Sequence, residues 1–276
     1  MRRIPKKWLF LVVLLISLTV HGEKKKFVIL TASYNNEQWL HKNLDSIFGQ
    51  KYDSSYWRVI YINDCSSDNT GQLVEEYVAQ HGYHDQITII QNEKRRRHLA
   101  NQYDAIHHLC KSNEIIVICD GDDWFAHPFV LHYLNEIYQD ADVWLTWGQF
   151  WYWHRDRLGC SRKIPQHILQ ENRVREHRPW VTSHLRTFYA GLFKQIKFED
   201  LLYEGQFFPM CADTATMMPM IEMAGTRIKF IPDILYIYND VNSLSFYHNH
   251  AEKQRKLENI IRSRQRYQPL SYAVFF

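Results

Sequence analysis

Residues 115–124, Ile-Ile-Val-Ile-Cys-Asp-Gly-Asp-Asp-Trp, carry an apolar run straight into three carboxylates, Asp120, Asp122 and Asp123, gathered around Gly121. An apolar run of this length ending at Gly reads as a central parallel strand, and acids at its carboxyl end lie where open α/β sheets bind ligands. In extended geometry Asp120 and Asp122, two apart, point the same way, and Gly121 permits close backbone approach. Two hard oxygen ligands with open positions suit Mg2+ or Mn2+ bridging a diphosphate. The plainer alternative is a solvated loop whose Asp123 caps a following helix. An Asp-x-Asp alone favours that alternative, so the weight falls on what positions it.

Apolar strands are expected over residues 27–31, 59–62, 87–90 and 115–119. After the first comes Ala32-Ser33-Tyr34-Asn35-Asn36-Glu37 and an amphipathic stretch over 39–48; after the second comes Asn63-Asp64-Cys65-Ser66-Ser67-Asp68-Asn69-Thr70 and a helical pattern over 72–80. Four strand-then-helix units predict an α/β fold with a central, mostly parallel sheet flanked by helices and polar loops collected on one edge. Each Ser, Asn or Asp in those loops is explicable singly as a helix cap. Their recurrence after successive strands is not.

With Asn92-Glu93-Lys94-Arg95-Arg96-Arg97, Asn101 and Asp120-Gly121-Asp122-Asp123, this ordered set resembles the family 2 glycosyltransferases of the GT-A fold over residues 27–150. The resemblance implies a metal-dependent, inverting transfer of a sugar from a nucleotide-diphosphate donor, a UDP-sugar by preference, to an acceptor hydroxyl. It places Ala32 and Tyr34 against the nucleotide, with Tyr34 flanking the base, and gives Asp64 the ring N–H. Arg96, with Arg95 and Arg97 as alternatives, would meet nucleotide or phosphate oxygens; Asp120 would lie toward the ribose and Asp122 on Mn2+ or Mg2+. Guanidinium geometry suits phosphate, although a charge run is commonly a solvated turn. Family members often carry Gly where this chain has Arg97.

Transfer also needs a base. In Phe207-Phe208-Pro209-Met210-Cys211-Ala212-Asp213-Thr214-Ala215-Thr216 one acid precedes a helical segment over 216–223. The family places its base on such an acid, so Asp213 is the expected catalytic base; the alternative is a helix N-cap. Family resemblance also makes a C-terminal His a metal ligand, for which His248 in Tyr247-His248-Asn249-His250 is the candidate among fifteen histidines. The Gln-x-x-Arg-Trp pattern of processive synthases is absent, which points to single addition.

Residues 23–276 are expected to form one catalytic domain, with a nucleotide-sugar-binding half over 27–150 and an acceptor half over 151–276. Trp144, Trp147, Phe150, Trp151, Tyr152, Trp153, Trp180 and the run His184-Leu185-Arg186-Thr187-Phe188-Tyr189 concentrate aromatics there. Some must pack as core, especially 144–150, and others can stack on the acceptor, an unspecified glycan, protein or lipid. Residues 155–178 read as a mobile polar loop at the mouth of the site.

A net charge of +3 spread among acids does not imply a nucleic-acid partner. Residues 1–22 combine Arg2, Arg3, Lys6 and Lys7 with the apolar run 8–20, which is short for a bilayer span and suits a signal peptide or a short membrane anchor. A secretory or membrane-associated location follows, with its side left open. Cys65, Cys110, Cys119, Cys160 and Cys211 are odd in number and scattered, so no disulfide framework is expected. The first strand is not followed by Gly-x-Gly-x-x-Gly, which disfavours a dinucleotide oxidoreductase, and residues 32–37 lack the glycines of a nucleotidyltransferase loop. The remaining rival is a non-catalytic carbohydrate- or nucleotide-binding protein on a degenerate fold of the same kind.

Overall fold

The structure is a computed structural model that describes residues 22–242 and 251–275. The apolar run 8–20 and His248 lie outside the described residues. No helix among those described is long and apolar enough to cross a membrane.

Strand β1 (Phe27–Ser33) is buried along its whole length and leads to α1 (Leu40–Phe48), which turns Leu40, Asn43, Leu44 and Ile47 inward at helical spacing. β2 (Trp57–Asn63), α2 (Thr70–His81), β3 (Ile87–Gln91), α3 (Arg97–Leu109) and β4 (Ile115–Ile118) repeat the strand-and-helix alternation. Helix α2 stops at Gly82, whose φ of 72° is the left-handed conformation that closes a helix end. Beyond lie β5 (Trp124–Phe125), α4 (Val130–Ile137), β6 (Leu145–Tyr152), β7 (Arg157–Leu158), α5 (Gln166–Gln170), β8 (Arg186–Tyr189) and α6 (Ala190–Phe193). A small hairpin, β9 (Leu202–Tyr203) and β10 (Gln206–Phe207), precedes α7 (Ala212–Ala224), β11 (Ile228–Tyr238) and α8 (Ala251–Ser263).

The main sheet runs β3-β2-β1-β4-β8-β6-β11-β5, with β7 beside β6. The first four strands are parallel, as the alternating pattern predicted. β8 then enters antiparallel to both β4 and β6. β6 pairs in parallel with the long β11, so the sheet is mixed and mostly parallel.

One expectation for the second half changes, and the core placement expected over 144–150 holds. Residues 155–178 are not a loose polar loop, because Ile164, Leu169 and Val174 are buried in the core. Arg175 meets Glu222 of α7 through two hydrogen bonds of 2.6 and 2.8 Å, with side chains 5% and 0% exposed. Strand β6 is buried on both faces at its start, so Trp144, Trp147 and Phe150 are core, whereas Trp153 is exposed. All five cysteines are free.

Candidate active site

The carboxyl ends of β1, β2 and β4 open into a cleft of about 280 Å3 whose lining includes Ala32, Tyr34, Asp64, Asp120, Asp122 and Asp213. Residues separated by most of the chain are thus brought together, because parallel strands all present their carboxyl ends on one edge.

On the wall formed by β1 and β2, Asp64 is buried and follows β2. Its Oδ1 accepts from Asn92 Nδ2 at 2.9 Å and from the Arg96 N–H at 2.8 Å, and its Oδ2 accepts from the Arg97 N–H at 2.7 Å. Burial pushes the Asp64 carboxyl up, but the neighbouring Asn101, Arg96, Asn92 and Arg97 groups outweigh burial and hold it below the usual carboxylate range. Tyr34 stands at the rim with the Arg95 guanidinium 3.6 Å from its ring centre. Arg97 lines the cleft at φ 69°, left-handed backbone where Gly is the unstrained residue. That backbone suits the Gly that members of the resembling family often carry there, and nothing in it calls for the Arg of this chain. Arg96, the first choice of the three arginines, turns its side chain out of the cleft onto Asp104 of α3. Its backbone N–H, not its guanidinium, serves the site.

The carboxylate loop is a turn and not extended strand: the Asp123 N–H donates to the Asp120 carbonyl at 3.0 Å. Asp120 and Asp122 therefore face different partners. A Cβ on Gly121 would fall 2.5 Å from Ser33 Cβ, so the glycine is needed for the loop to pack on β1. Asp122 Oδ2 accepts from Asn242 Nδ2 at 2.7 Å, and burial together with the Asp120 charge pushes its carboxyl up. Asp123 caps no helix. Buried, it accepts from the Asn239 N–H at 2.7 Å and the Tyr236 hydroxyl at 2.8 Å, tying the loop to β11.

Asp120 lies beside groups that sequence reading passed over. His98 Nδ1 is 3.8 Å away, His184 Nδ1 is 3.9 Å away, and Arg186 Nη2 is 3.4 Å away. The register explains the last two. β8 pairs antiparallel to β4 with Arg186 opposite Ile118, so residues preceding β8 run back past those following β4. Burial pushes Asp120 up, and the neighbouring His98, Arg186 and His184 more than reverse this. Burial and Arg186 push His184 down to about 3, so its imidazole is neutral at neutral pH and Arg186 is the permanent cation beside Asp120. No signal within 184–186 itself marks these residues; they become visible only through strand pairing.

The donor set fits a hard divalent cation. Asp120, Asp123 and His184 each offer a ligand atom within 4.8 Å of the others, and a cation there would offset the burial and, after it, the Asp120 charge that push the Asp122 carboxyl up. Asp122 is not part of that converging group, although it lines the same cleft two residues from Asp120.

Across the cleft, Asp213 lies in the first turn of α7. It is not the cap, because the cap position belongs to Cys211 at φ 61°. Trp180 Nε1 donates to Asp213 Oδ2 at 3.0 Å, which fixes the carboxylate and turns an expected stacking residue into its support.

A family profile described as "Glycosyl transferase family 2" matches residues 28–201. EpsE of Bacillus subtilis strain 168, provisionally named a glycosyltransferase, is 32% identical over 98 residues, 36% of this chain and 33% of its own length. The match therefore spans about a third of that relative. Staphylococcus aureus TarS 1-349 in complex with UDP-GlcNAc superposes with a TM-score of 0.60 at 17% identity, covering 86% of this chain and 65% of that one. The mannosyltransferase PcManGT from Pyrobaculum calidifontis, in complex with GDP-Man and Mn2+, gives 0.58 at 20% identity, covering 87% and 63%. At such identities the two structures attest the fold, which is that of the GT-A transferases.

Proposed function

The chain belongs to glycosyl transferase family 2, and from that premise we propose that it is a metal-dependent, inverting, single-addition enzyme using a UDP-sugar. The observation that carries this reading is the placement of Asp213 on the same cleft as Asp64, Asp120 and Asp122, with Trp180 holding it in place. The base would lie on Tyr34, with Asp64 accepting the uracil N–H at Oδ2, which takes one donor where Oδ1 takes two. The Arg97 side chain, which lines the cleft, favours the negative diphosphate.

Asp120 and Asp122 would hold Mn2+ or Mg2+, which when bound neutralises charge on the departing diphosphate. Asp213 would take the proton of an acceptor hydroxyl as that oxygen attacks the anomeric carbon from the face opposite the diphosphate. One displacement with one base inverts the anomeric centre. The nucleoside diphosphate leaves with the bonding electrons.

Release of nucleotide from UDP-glucose, UDP-GlcNAc and GDP-mannose, each with and without Mn2+, tests the reading. Turnover of a UDP-sugar that EDTA abolishes and that Asp122→Ala suppresses, with the variant's melting temperature near the parent's, is expected. Metal-independent turnover, or a preference for GDP-mannose, would overturn the metal or the base assignment respectively.

A further inference from the structure

Resting on the reading just given, we infer that Arg186, acting with Asp120, binds the hydroxyls of the donor's sugar and thereby sets which sugar is transferred. Arg186 is 7% exposed, yet it lines the cleft. Among the described residues its hydrogen bonds leave from one end only: Nη2 reaches Asp120 Oδ2 at 3.4 Å and His184 Nδ1 at 3.5 Å, both long. Its buried Nε has no partner among the described residues. Nε is itself closed off, so a group arriving in the cleft would accept from the terminal nitrogens of this poorly satisfied guanidinium, which lines it.

The order of the sheet says which part of the donor that is. Passing from β2 to β1, β4 and β8, the cleft presents Asp64, then Tyr34, then the carboxylate loop, then Arg186. A nucleotide whose base lies at Asp64 and whose diphosphate lies at Asp122 extends its sugar toward β8. The charge on Arg186 is already answered by Asp120, so the pair suits neutral vicinal hydroxyls: the guanidinium donates to one oxygen while the carboxylate accepts from its neighbour. A sugar carboxylate would instead meet the Asp120 charge at close range.

The test measures the affinity of UDP, of UDP-glucose and UDP-GlcNAc, and of the singly deoxygenated analogues of whichever sugar the parent binds better. In Arg186→Gln, UDP affinity should stay within about twofold while nucleotide-sugar affinity falls about tenfold or more, the scale of a hydrogen bond to a charged group. One deoxy analogue should bind the parent more weakly by a similar factor and lose nothing further in the variant. Arg186→Lys, which keeps the charge beside Asp120 but not the fork, should hold UDP and lose the deoxy discrimination even if the Gln variant melts early. Equal losses for UDP and nucleotide sugar, unchanged binding of both, or a parent indifferent to every single deoxygenation would each overturn the inference. A parent that binds no nucleotide sugar in the panel would instead overturn the proposed function itself.

Discussion

In the strands β3, β2, β1 and β4 every carboxyl end points at the cleft, whereas β8 enters the sheet reversed and brings His184 and Arg186 to the same edge from its amino end. The first region builds its wall by repetition, one polar loop after each strand. The second builds its wall by long-range pairing, with α7 supplying Asp213 and β11 supplying the partners of Asp123. On the proposed function this becomes a division of labour, in which the repeated loops would hold the nucleotide and the later elements would complete the chemistry.

Asp213→Asn attacks that division most strongly. General-base catalysis contributes roughly 10^2–10^4-fold, so transfer should fall by about that factor while UDP affinity and melting temperature stay near the parent's. Asn retains a side-chain oxygen for the Trp180 donor, and since Asp213 is not the cap of α7, no cap is lost. Undiminished transfer in single-turnover assays would remove the base from the second region and dissolve the comparison.

Stability should divide along the same line. Arg175 and Glu222 are both buried, and Arg175 Nη1 also donates to the Ile261 carbonyl at 2.6 Å, so this pair fastens residues 155–178 to α7 and α8. Removing one partner of a buried pair costs about 3–5 kcal/mol by stranding the other charge. Arg175→Ala should therefore lower the urea midpoint substantially, and transfer should fall with it as the support of α7 loosens. A midpoint unchanged from the parent would show that the pair does not hold the second region.

The contrast also explains what could be read from the residues. Strands β1, β2 and β4 announce themselves as apolar runs followed by Asn, Asp and Ser, so Tyr34, Asp64, Asp120 and Asp122 were all legible as cleft residues, and all line it. Residues 186–189 also form an ordinary short strand. Nothing local says that it slots between β4 and β6, and without that pairing Arg186 reads as one polar residue in an aromatic run. Trp180 likewise looked like a stacking ring until α7 placed Asp213 against its N–H. Among the three arginines the side-chain directions depend on the turn that starts α3, where the left-handed φ of Arg97 reverses the chain; a run of identical residues carries no such information.

Asp64→Ala probes the first region with a smaller effect. Loss of a hydrogen bond to a charged group should weaken UDP binding by about 1.5–3 kcal/mol by calorimetry, with the chemical step on bound donor little changed. The same carboxylate also ties down the Arg96 and Arg97 amides. Its folded pKa is depressed, so its stabilising contribution is complete above the unfolded value of about 3.9 and is lost as pH falls through the folded one. Asp64→Asn should accordingly flatten the acid limb of the stability profile. Unchanged UDP affinity in the Ala variant would move base recognition elsewhere.

The smallest effects sharpen the comparison within one turn. Arg96 pairs with Asp104 with both side chains about a third exposed, so Arg96→Ala should change stability by at most about 1 kcal/mol and leave UDP affinity alone. Arg97→Gly should do something the other two cannot. A left-handed non-Gly residue costs about 1–2 kcal/mol and Gly costs about 0.5–1 kcal/mol in the unfolded chain, so the variant should be as stable as the parent or slightly more so. Yet it removes a guanidinium from the cleft, and UDP should bind more weakly. Arg95→Ala should weaken UDP binding modestly, since the Tyr34 ring loses a cation worth about 0.5–1 kcal/mol at an exposed site. Calorimetry and thermal melts on the three variants separate a residue that strains the turn to reach the donor from one that only braces the helix. A loss of UDP affinity in Arg96→Ala as large as that in Arg97→Gly would return the donor contact to the arginine whose side chain faces α3.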